Sequence, residues 1–448
     1  MKNTTMKNTT MKNNFFYLMI IGLSFMITSC DKDDDHDDHN HNNTVQGCTD
    51  QNALNYDADA TEDDGSCVYA PDAIQTIYPG GEISSNVTWY KDYTYTLTGR
   101  VVVPSGVTLT IEAGTVVKAY PGQEANACAL IIARGGMIIA EGSASEPIIF
   151  TSTADAITRD HSSYPGFANT NESIKGQWGG VIILGHALIS ADNFEMQIEG
   201  IPASDSNGLY GGYDDSDNSG VFTYVQIRHG GTLLGEGNEI NGLTLGGVGS
   251  GTTIHHVEVV GNVDDGIEWF GGSVNTSDLL VWAQGDDAFD VDQAYSGTIS
   301  NIMSIADAES DHALEIDGPE GSMEAGFNMN SGYFIGYNPY GGEYADFRSN
   351  AMGNLSGLYF ESFSCDSDFE LDNDGVAQNA MDGMLSFANL QFNVSHLADS
   401  CNTTVEDICL DKSENDIAST FNFNAAVVNA QSVGFDSSQF TGWTCYNN

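Results

Sequence analysis

Short apolar segments separated by glycine, asparagine or serine recur along most of the chain. Residues 95–119 and 129–152 read as strand, turn, strand, turn, and the pattern continues at 176–190, 222–231 and 253–262. No long stretch has a 3.6-residue apolar period with helix caps, which argues against an α/β fold. An antiparallel sandwich is the alternative, but it favours regular hairpins with two-residue turns. The pattern therefore predicts an all-β chain of short strands.

Six of these segments share a large apolar residue followed by an outward-facing position that is usually acidic. The outward positions are Thr244, Glu268, Asp290, Glu315, Arg348 and Glu370, at steps of 24, 22, 25, 33 and 22 residues. The preceding apolar residues, predicted to face inward, are Leu243, Ile267, Phe289, Leu314, Phe347 and Phe369. A fixed period of this length is typical of stacked repeats, and one turn of a parallel β-helix has this size.

In such a fold the acids form a column, because stacked strands lie about 4.8 Å apart. Two carboxylates at that distance repel by about 3.5 kcal/mol at an effective dielectric of 20. The column therefore needs cations, raised pKa values or full solvation, and calcium is the favoured external cation because it binds several carboxylate oxygens. Arg348, between Glu315 and Glu370 in this alignment, is the predicted internal counter-ion. The predicted calcium ligands in the coils are Asp290, Asp292, Glu315, Asp317, Glu370 and Asp372.

The charge balance excludes some partners. The 448 residues include 63 acidic and 13 basic side chains, for a formal net charge of −50. Nucleic acid is a poor partner, because its binding depends on neutralising phosphates with Lys and Arg. An anionic polysaccharide would need bridging divalent cations.

We expect the protein to be a monomer.

The first 46 residues have the pattern of a targeting sequence and are not expected to belong to the folded domain. Residues 1–30 combine early lysines with a short apolar run that ends at Cys30, as in a secretory signal. Residues 27–30 resemble a bacterial lipobox, which implies lipidation of Cys30 and a membrane anchor without a spanning segment. The acidic, histidine-rich linker 31–46 resembles the surface-export signal of Bacteroidetes lipoproteins, which implies an outer-membrane protein facing the exterior. A plain signal peptide and a solvated spacer are the alternatives.

Residues 47–69 form a small module bounded by two cysteines. Its acids and glycines resemble a thrombospondin type 3-like calcium repeat, which implies bound calcium and a Cys48–Cys67 disulfide. The predicted ligands are Asp57, Asp59, Asp63 and Asp64. The alternative is a disulfide-closed linker without metal.

The rest of the chain resembles secreted right-handed parallel β-helices, and above all Bacteroidetes β-helix lipoproteins. We expect a connector and N-terminal cap at 70–97, a right-handed single-stranded parallel β-helix at 98–400, and a C-terminal cap at 401–448. Cys401 and Cys409 are close enough in sequence for a local disulfide. Cys365 with Cys445 is a weaker pair, which leaves Cys128 over.

An enzyme is the alternative function. Asp265, Asp286, Asp287, His312 and Arg348 follow the order of the active-site motifs of polygalacturonase-type glycoside hydrolases, which are also parallel β-helices. The resemblance implies that one aspartate is the general acid and that others activate water, with inversion. The chain departs from the family at Asp264, Ala313 and Asn350. A lyase is a weaker alternative, because it needs a basic group beside the uronate.

The favoured function is a binding or adhesion module for glycans on a rigid, calcium-stabilised β-helix. Tyrosines in glycine-rich loops are the candidate sugar-stacking residues, with simple loop packing as the alternative. They are Tyr210, Tyr213, Tyr337, Tyr340 and Tyr344. The ligand is an extracellular glycan or another surface ligand.

Overall fold

The computed structural model describes residues 44–49, 53, 56–66, 75–123, 126–157, 171–232, 240–321, 323–338, 342–398, 401, 403–415, 417–418 and 423–446. The predicted signal sequence, the lipidation site Cys30 and most of the linker 31–46 lie outside these residues, as do Cys67 and Tyr340.

Nearly all the regular structure consists of short strands. The strands of the N-terminal half are β1 (Gln46–Gly47), β2 (Glu62–Asp63), β3 (Gln75–Tyr78), β4 (Gly81–Glu82), β5 (Val87–Trp89), β6 (Thr94–Leu97), β7 (Arg100–Val103), β8 (Thr108–Ile111), β9 (Val116–Ala119), β10 (Ala129–Ile132), β11 (Met137–Glu141), β12 (Ile148–Ser152), β13 (Val181–Leu184), β14 (Met196–Gln197), β15 (Leu209–Tyr210) and β16 (Gly220–Arg228).

The strands of the C-terminal half are β17 (Leu243–Gly246), β18 (Thr253–Val260), β19 (Ile267–Phe270), β20 (Thr276–Trp282), β21 (Phe289–Asp292), β22 (Thr298–Ile305), β23 (Leu314–Ile316), β24 (Phe327–Ile335), β25 (Ala345–Phe347), β26 (Gly353–Glu361), β27 (Phe369–Leu371), β28 (Leu385–Ala388), β29 (Leu390–Asn393), β30 (Cys409–Asp411) and β31 (Ala425–Val427). Two α-helices, α1 (Asp374–Asp382) and α2 (Val405–Ile408), lie between the last coils.

The strands stack into two long parallel sheets. An 11-stranded sheet runs in the order β4, β7, β10, β13, β17, β19, β21, β23, β25, β27, β30. A 16-stranded sheet contains β3, β6, β9, β12, β16, β18, β20, β22, β24, β26, β29 and β31, with β5, β8, β11 and β28 beside them. Along the chain, strands of one sheet are followed by strands of the other, so every coil contributes to both sheets. This is the predicted right-handed parallel β-helix.

The long strands of the 16-stranded sheet each bend once. In the earlier coils β11 and β12 are separate strands, yet both pair with β16, β11 with its start and β12 with its end. A single residue with positive φ marks the bend in each later coil: Tyr224, His256, Asp278, Asn301, Ser331, Gly357 and Asn389. Asparagine and aspartate tolerate this left-handed region better than most residues. Each coil therefore has three strand faces around one core.

The core is a set of inward-facing apolar columns, one side chain per coil. It includes the predicted inward residues Leu243, Ile267, Phe289, Leu314 and Phe369, all at most 1% exposed. A second inward column, on the 16-stranded sheet, has stacked aromatic rings near the C-terminal end, where Phe360 lies 4.7 Å from Phe334 and 5.2 Å from Phe392 between ring centroids.

Paired coil strands extend on both sides of the predicted range 98–400. β3 pairs with β6 before it, and β27 with β30 and β29 with β31 after it. The last described segment then returns along the outer face of the 16-stranded sheet, where Phe440 and Trp443 pack on Leu280 and Met303. In the part of the chain described here, no helix has both the length and the apolar character needed to cross a membrane.

Candidate functional site

The predicted column of acids is present on the outer face of the 11-stranded sheet. The parallel register of neighbouring strands aligns one residue per coil. In chain order these residues are Val102, Ile131, Ile182, Thr244, Glu268, Asp290, Glu315, Asp346 and Glu370. The first three are apolar and the last five are acidic, so the character of the face changes at Thr244. We call the five acids the inner acid column.

The prediction that Arg348 belongs to this column is wrong by two residues. Glu315 is in register with Asp346, and Ile316 with Phe347. Phe347 is therefore an inward residue of the next column, and Ala345 takes the inward position that was assigned to it. The sequence could have shown the correct register. In the other coils the acid lies between two inward residues, and in this segment only Asp346 meets that condition.

Arg348 belongs instead to a second outward column, two residues further along each strand. The neighbours of Arg348 in that column are Asp317 and Asp372, because Arg348 N–H donates to Ile316 O and Asp372 N–H donates to Phe347 O. The Arg348 guanidinium lies 2.7 Å from Asp317 Oδ2 and also ion-pairs with Glu315 of the inner acid column. Arg348 is therefore an internal counter-ion, as predicted, but from the neighbouring column.

A second internal cation, Lys412, was missed by the sequence reasoning. Its backbone N–H donates to Leu371 O, which puts it in the same outward column as Arg348. Its Nζ lies 3.0 Å from Asp368 Oδ2 and ion-pairs with Glu370. The two basic residues thus neutralise the acids of the last coils.

The acids of the first coils are buried, although they lie on the outer face of the sheet. Glu268 and Asp290 are 6% and 8% exposed. The inserted segment 189–211 packs on this face, with Ile198 and Tyr210 against the apolar start of the column. Glu199 from the same segment hydrogen-bonds Asn241, the residue that donates its amide to Glu268. The insertion is long and glycine-rich, and its sequence has no signal for where it packs.

Burial changes the protonation of Glu268 and Asp290 in the column and of Asp265 in the turn before it. Loss of solvent raises the pKa of Asp265, Glu268 and Asp290 well above the usual value, and the neighbouring carboxylates raise it further. The same loss of solvent raises the pKa of Asp292 to about 7. Without a cation, this part of the face holds protons at pH values where a solvated carboxylate is ionised.

The turn before each strand carries a second row of polar residues, which we call the turn row: Asn241, Asp265, Asp287, His312 and Glu343. Asp265 Oδ1 accepts the backbone N–H of Asp287 at 3.0 Å, and Asp287 Oδ1 accepts the backbone N–H of His312 at 2.8 Å. His312 forms a parallel bridge with Glu343. The four predicted catalytic residues, Asp265, Asp286, Asp287 and His312, therefore lie on three consecutive coils, with Asp286 exposed beside the row.

His312 is held in its charged form. Burial alone would lower its pKa, but the hydrogen bond from Nδ1 to Asp287 at 2.8 Å and the charges of Asp287 and Asp311 outweigh burial and raise the pKa to about 9. A protonated histidine is an additional positive charge in this acidic region, and it cannot act as a base at neutral pH.

Four groups of side chains among the described residues have ligand atoms within 4.8 Å of one another, the spacing needed to bind a metal ion. They are Asp264, Asp265 and Asp286; Asp265, Glu268 and Asp290; Asp287, His312 and Glu315; and Asp346, Glu370 and Asp372. Four predicted calcium ligands of the coils, Asp290, Glu315, Glu370 and Asp372, belong to these groups. The other two, Asp292 and Asp317, have different partners: Asp292 accepts the N–H of Gln293, and Asp317 binds Arg348.

The acids of the small N-terminal module form local hydrogen bonds within their own turns. Asp57, Asp63 and Asp64 accept backbone N–H groups two residues ahead, at 2.9, 3.1 and 2.9 Å, and Asp59 is the donor for Asp57. β1 and β2 pair beside them. Calcium binding here stays a prediction.

Two of the tyrosines predicted to bind ligand are core residues. Tyr210 and Tyr344 are each 1% exposed. Tyr210 packs between the insertion and the outer face of the sheet, against Phe270, and Tyr344 lies inside the coils beside Phe363, so neither ring is available for stacking on a sugar. Tyr213 and Tyr337 are 75% and 42% exposed and keep that possibility.

The predicted disulfides at the C-terminal end are wrong. Cys401 is bonded to Cys365, so neither Cys401–Cys409 nor Cys365–Cys445 forms. Cys409 is in register with Phe369 on β30 and points into the core, whereas Cys401 lies in the loop outside it. Cys48 is in a disulfide, as predicted, while its predicted partner Cys67 lies outside the described residues.

A parallel β-helix with an acidic outer column and a polar turn row defines the class of protein. Within that class, a family model described as a pectate-lyase-like β-helix domain matches residues 81–444. The chain therefore belongs to that family. No curated protein and no solved structure shows a significant match.

Proposed function

We propose that this protein is a cell-surface lipoprotein that binds an extracellular polysaccharide along the acidic edge of its β-helix, with calcium bridging the two. The family to which the chain belongs supports a role with polysaccharides. The surface location rests on the lipobox-like sequence that ends at Cys30.

One observation carries the binding proposal. Asp264, Asp286 and Asp311 occupy the same position on three consecutive coils, directly before the turn row, and the last two are exposed. Acids repeated at the coil spacing of about 4.8 Å form a row parallel to the helix axis, so a linear polymer lying along that axis meets one carboxylate per coil. We call these three acids the exposed acid strip.

Calcium fits the exposed acid strip chemically. Asp264 and Asp286 offer carboxylate oxygens close to Asp265, and oxygen is the ligand type that calcium prefers. In this proposal the cation provides positive charge for sugar hydroxyl or carboxylate groups, which the acidic chain itself lacks. The exposed ring of Tyr213 or Tyr337 adds a stacking surface.

A glycoside hydrolase is the second candidate, because the residues matching the polygalacturonase-type motif lie together on consecutive coils. The spacing argues against inversion. The nearest oxygens of Asp264, Asp265 and Asp286 are within 4.8 Å of one another, whereas inverting enzymes separate the two carboxyl groups by about 6.5–9.5 Å to admit water. A hydrolase with this spacing would be a retaining one. We favour binding because the acids of the exposed acid strip repeat on three consecutive coils.

The test is a polysaccharide panel that includes neutral and uronate-containing polymers, measured with calcium and with a chelator. We expect calcium-dependent binding without release of reducing ends, at least tenfold weaker binding in Asp286→Asn, and unchanged binding in Asp382→Asn. Asp382 is the matched control because it is an exposed aspartate at the end of α1. Binding that ignores both calcium and Asp286→Asn contradicts the proposal. New reducing ends that disappear in Asp286→Asn support the hydrolase.

A further inference from the structure

Three carboxylates of consecutive coils converge beneath the insertion. Asp265 and Glu268 come from the same coil and Asp290 from the next, and one oxygen of each lies within 4.8 Å of the others. All three residues are more than nine-tenths buried. Asp265 also lies within 4.8 Å of Asp264 and Asp286 of the exposed acid strip, whereas Glu268 and Asp290 belong to the buried group alone.

The internal cations do not reach this group. Arg348 ion-pairs with Glu315, Asp317 and Asp346, which lie on the later coils. Lys412 pairs with acids still closer to the C-terminal end. Asp265, Glu268 and Asp290 are therefore buried together, while the basic residues of this face form ion pairs with other acids. Burying charged groups without a counter-ion costs free energy.

Two buried oxygen atoms beside the group have no hydrogen-bond partner. One is Asp290 Oδ1, which belongs to the group itself. The other is Oδ1 of Asn241, a fully buried residue whose amide nitrogen donates to Glu268. Buried polar atoms are satisfied in most native proteins, and an orphaned one indicates an unseen water or ion.

We propose that Asp265, Glu268 and Asp290 bind one calcium ion as a closed structural site, with the Asn241 side-chain oxygen as a neutral ligand. Three carboxylates and an amide oxygen form the all-oxygen ligand set that a hard divalent cation requires. The ion neutralises the buried charge and joins two coils.

The site also fastens the insertion to the β-helix. Glu199, from the inserted segment 189–211, hydrogen-bonds Asn241 and so reaches the edge of the group. With calcium bound, Asn241 is fixed between the ion and Glu199. Removal of calcium is expected to loosen 189–211 while the coils remain folded, because the inward core does not depend on the site.

Isothermal titration of chelator-stripped full-length protein with calcium chloride tests the site. We expect Asp290→Asn and Glu268→Gln each to lose one equivalent of bound calcium relative to wild type, while Asp382→Asn loses none. Asp286→Asn should also keep this equivalent, so loss of polysaccharide binding and loss of the buried site are distinguishable. Unchanged calcium stoichiometry and affinity in both buried variants overturns the proposal.

Hydrogen exchange gives a second readout, which follows the inserted segment directly and not the calcium stoichiometry. Amides in 189–211 should exchange at least several-fold faster after chelation of the wild-type protein, and Asp290→Asn should show no response to calcium. If the group is neutralised by protons alone, stripped wild-type protein binds no calcium at this site, and exchange in 189–211 is the same with and without the ion. That result rejects the site.

Discussion

Asp287 Oδ1 accepts two hydrogen bonds from His312 on the following coil, one from the backbone N–H and one from Nδ1, each at 2.8 Å. One carboxylate oxygen therefore fixes both the turn and the ring of its neighbour. The ring is 14% exposed, and the pair lies in the turn row beside the exposed acid strip. A charged histidine here lowers the net negative charge where polysaccharide is proposed to bind.

The pairing predicts a pH dependence. The pKa of His312 is about 9 in the folded protein, above the usual 6.5. Folding therefore retains a proton, and the stabilisation is complete below pH 6.5 and is lost as the pH rises through 9. The loss is on the order of 3 kcal/mol at most. Asp287→Asn should return the pKa of His312 toward 6.5, as followed by NMR of the ring, while Asp311→Asn shifts it less. A pKa unaffected by Asp287→Asn contradicts this assignment.

Arg348→Met should destabilise the β-helix by about 1–3 kcal/mol, because it leaves Glu315, Asp317 and Asp346 without their cation. Urea unfolding measures the change. Arg348→Lys is the control, since it keeps the charge but not the several contacts of the guanidinium, and it should recover at least part of the loss. If Arg348→Met is as stable as wild type, solvent or bound ions already screen these acids.

Glu258 anchors the returning C-terminal segment. It is fully buried, accepts the backbone N–H of Cys445 at 2.8 Å, and burial raises its pKa to about 7. An acid with a raised pKa binds a proton on folding, so its contribution to stability is complete below about pH 4.5 and is lost as the pH rises through 7, by an amount on the order of 3 kcal/mol.

Glu258→Gln should therefore flatten the part of the stability profile between pH 4.5 and 7. The measurement is the free energy of unfolding of variant and wild type at pH 5 and pH 8. Relative to wild type, we expect the variant to have a higher free energy of unfolding at pH 8 than at pH 5. Equal pH dependence of the two proteins would show that Glu258 is ionised throughout.

Tyr210 and Tyr213 are close in sequence but should respond differently to substitution. Tyr213→Ala should weaken polysaccharide binding with little change in stability, because its ring is exposed. Tyr210→Ala should cost about 3–5 kcal/mol of stability, because its ring is buried between the insertion and the sheet. Thermal melts and the binding panel separate the two effects. A stable Tyr210→Ala protein would contradict the packing described for 189–211.

The sequence by itself determined the fold and the existence of the acid column. Apolar residues that recur at one position per coil must face a common core, and the residue beside each must then face outward, so Glu268, Asp290, Glu315 and Glu370 were found from the period alone. The position of Arg348 was not, because a 33-residue step contains a long loop and the count of residues no longer gives the register.

Only the tertiary structure decided which acids are buried and which are paired. Segment 189–211 returns to this face and brings Glu199 near Glu268, and Lys412 joins the face from a coil with no acid of its own in the column. Likewise Cys401 bonds to Cys365 because the register turns Cys409 inward. The period of the sequence predicts whether a side chain points inward or outward from its own coil. It does not predict which other segment packs on the same face, because that segment is distant in the sequence.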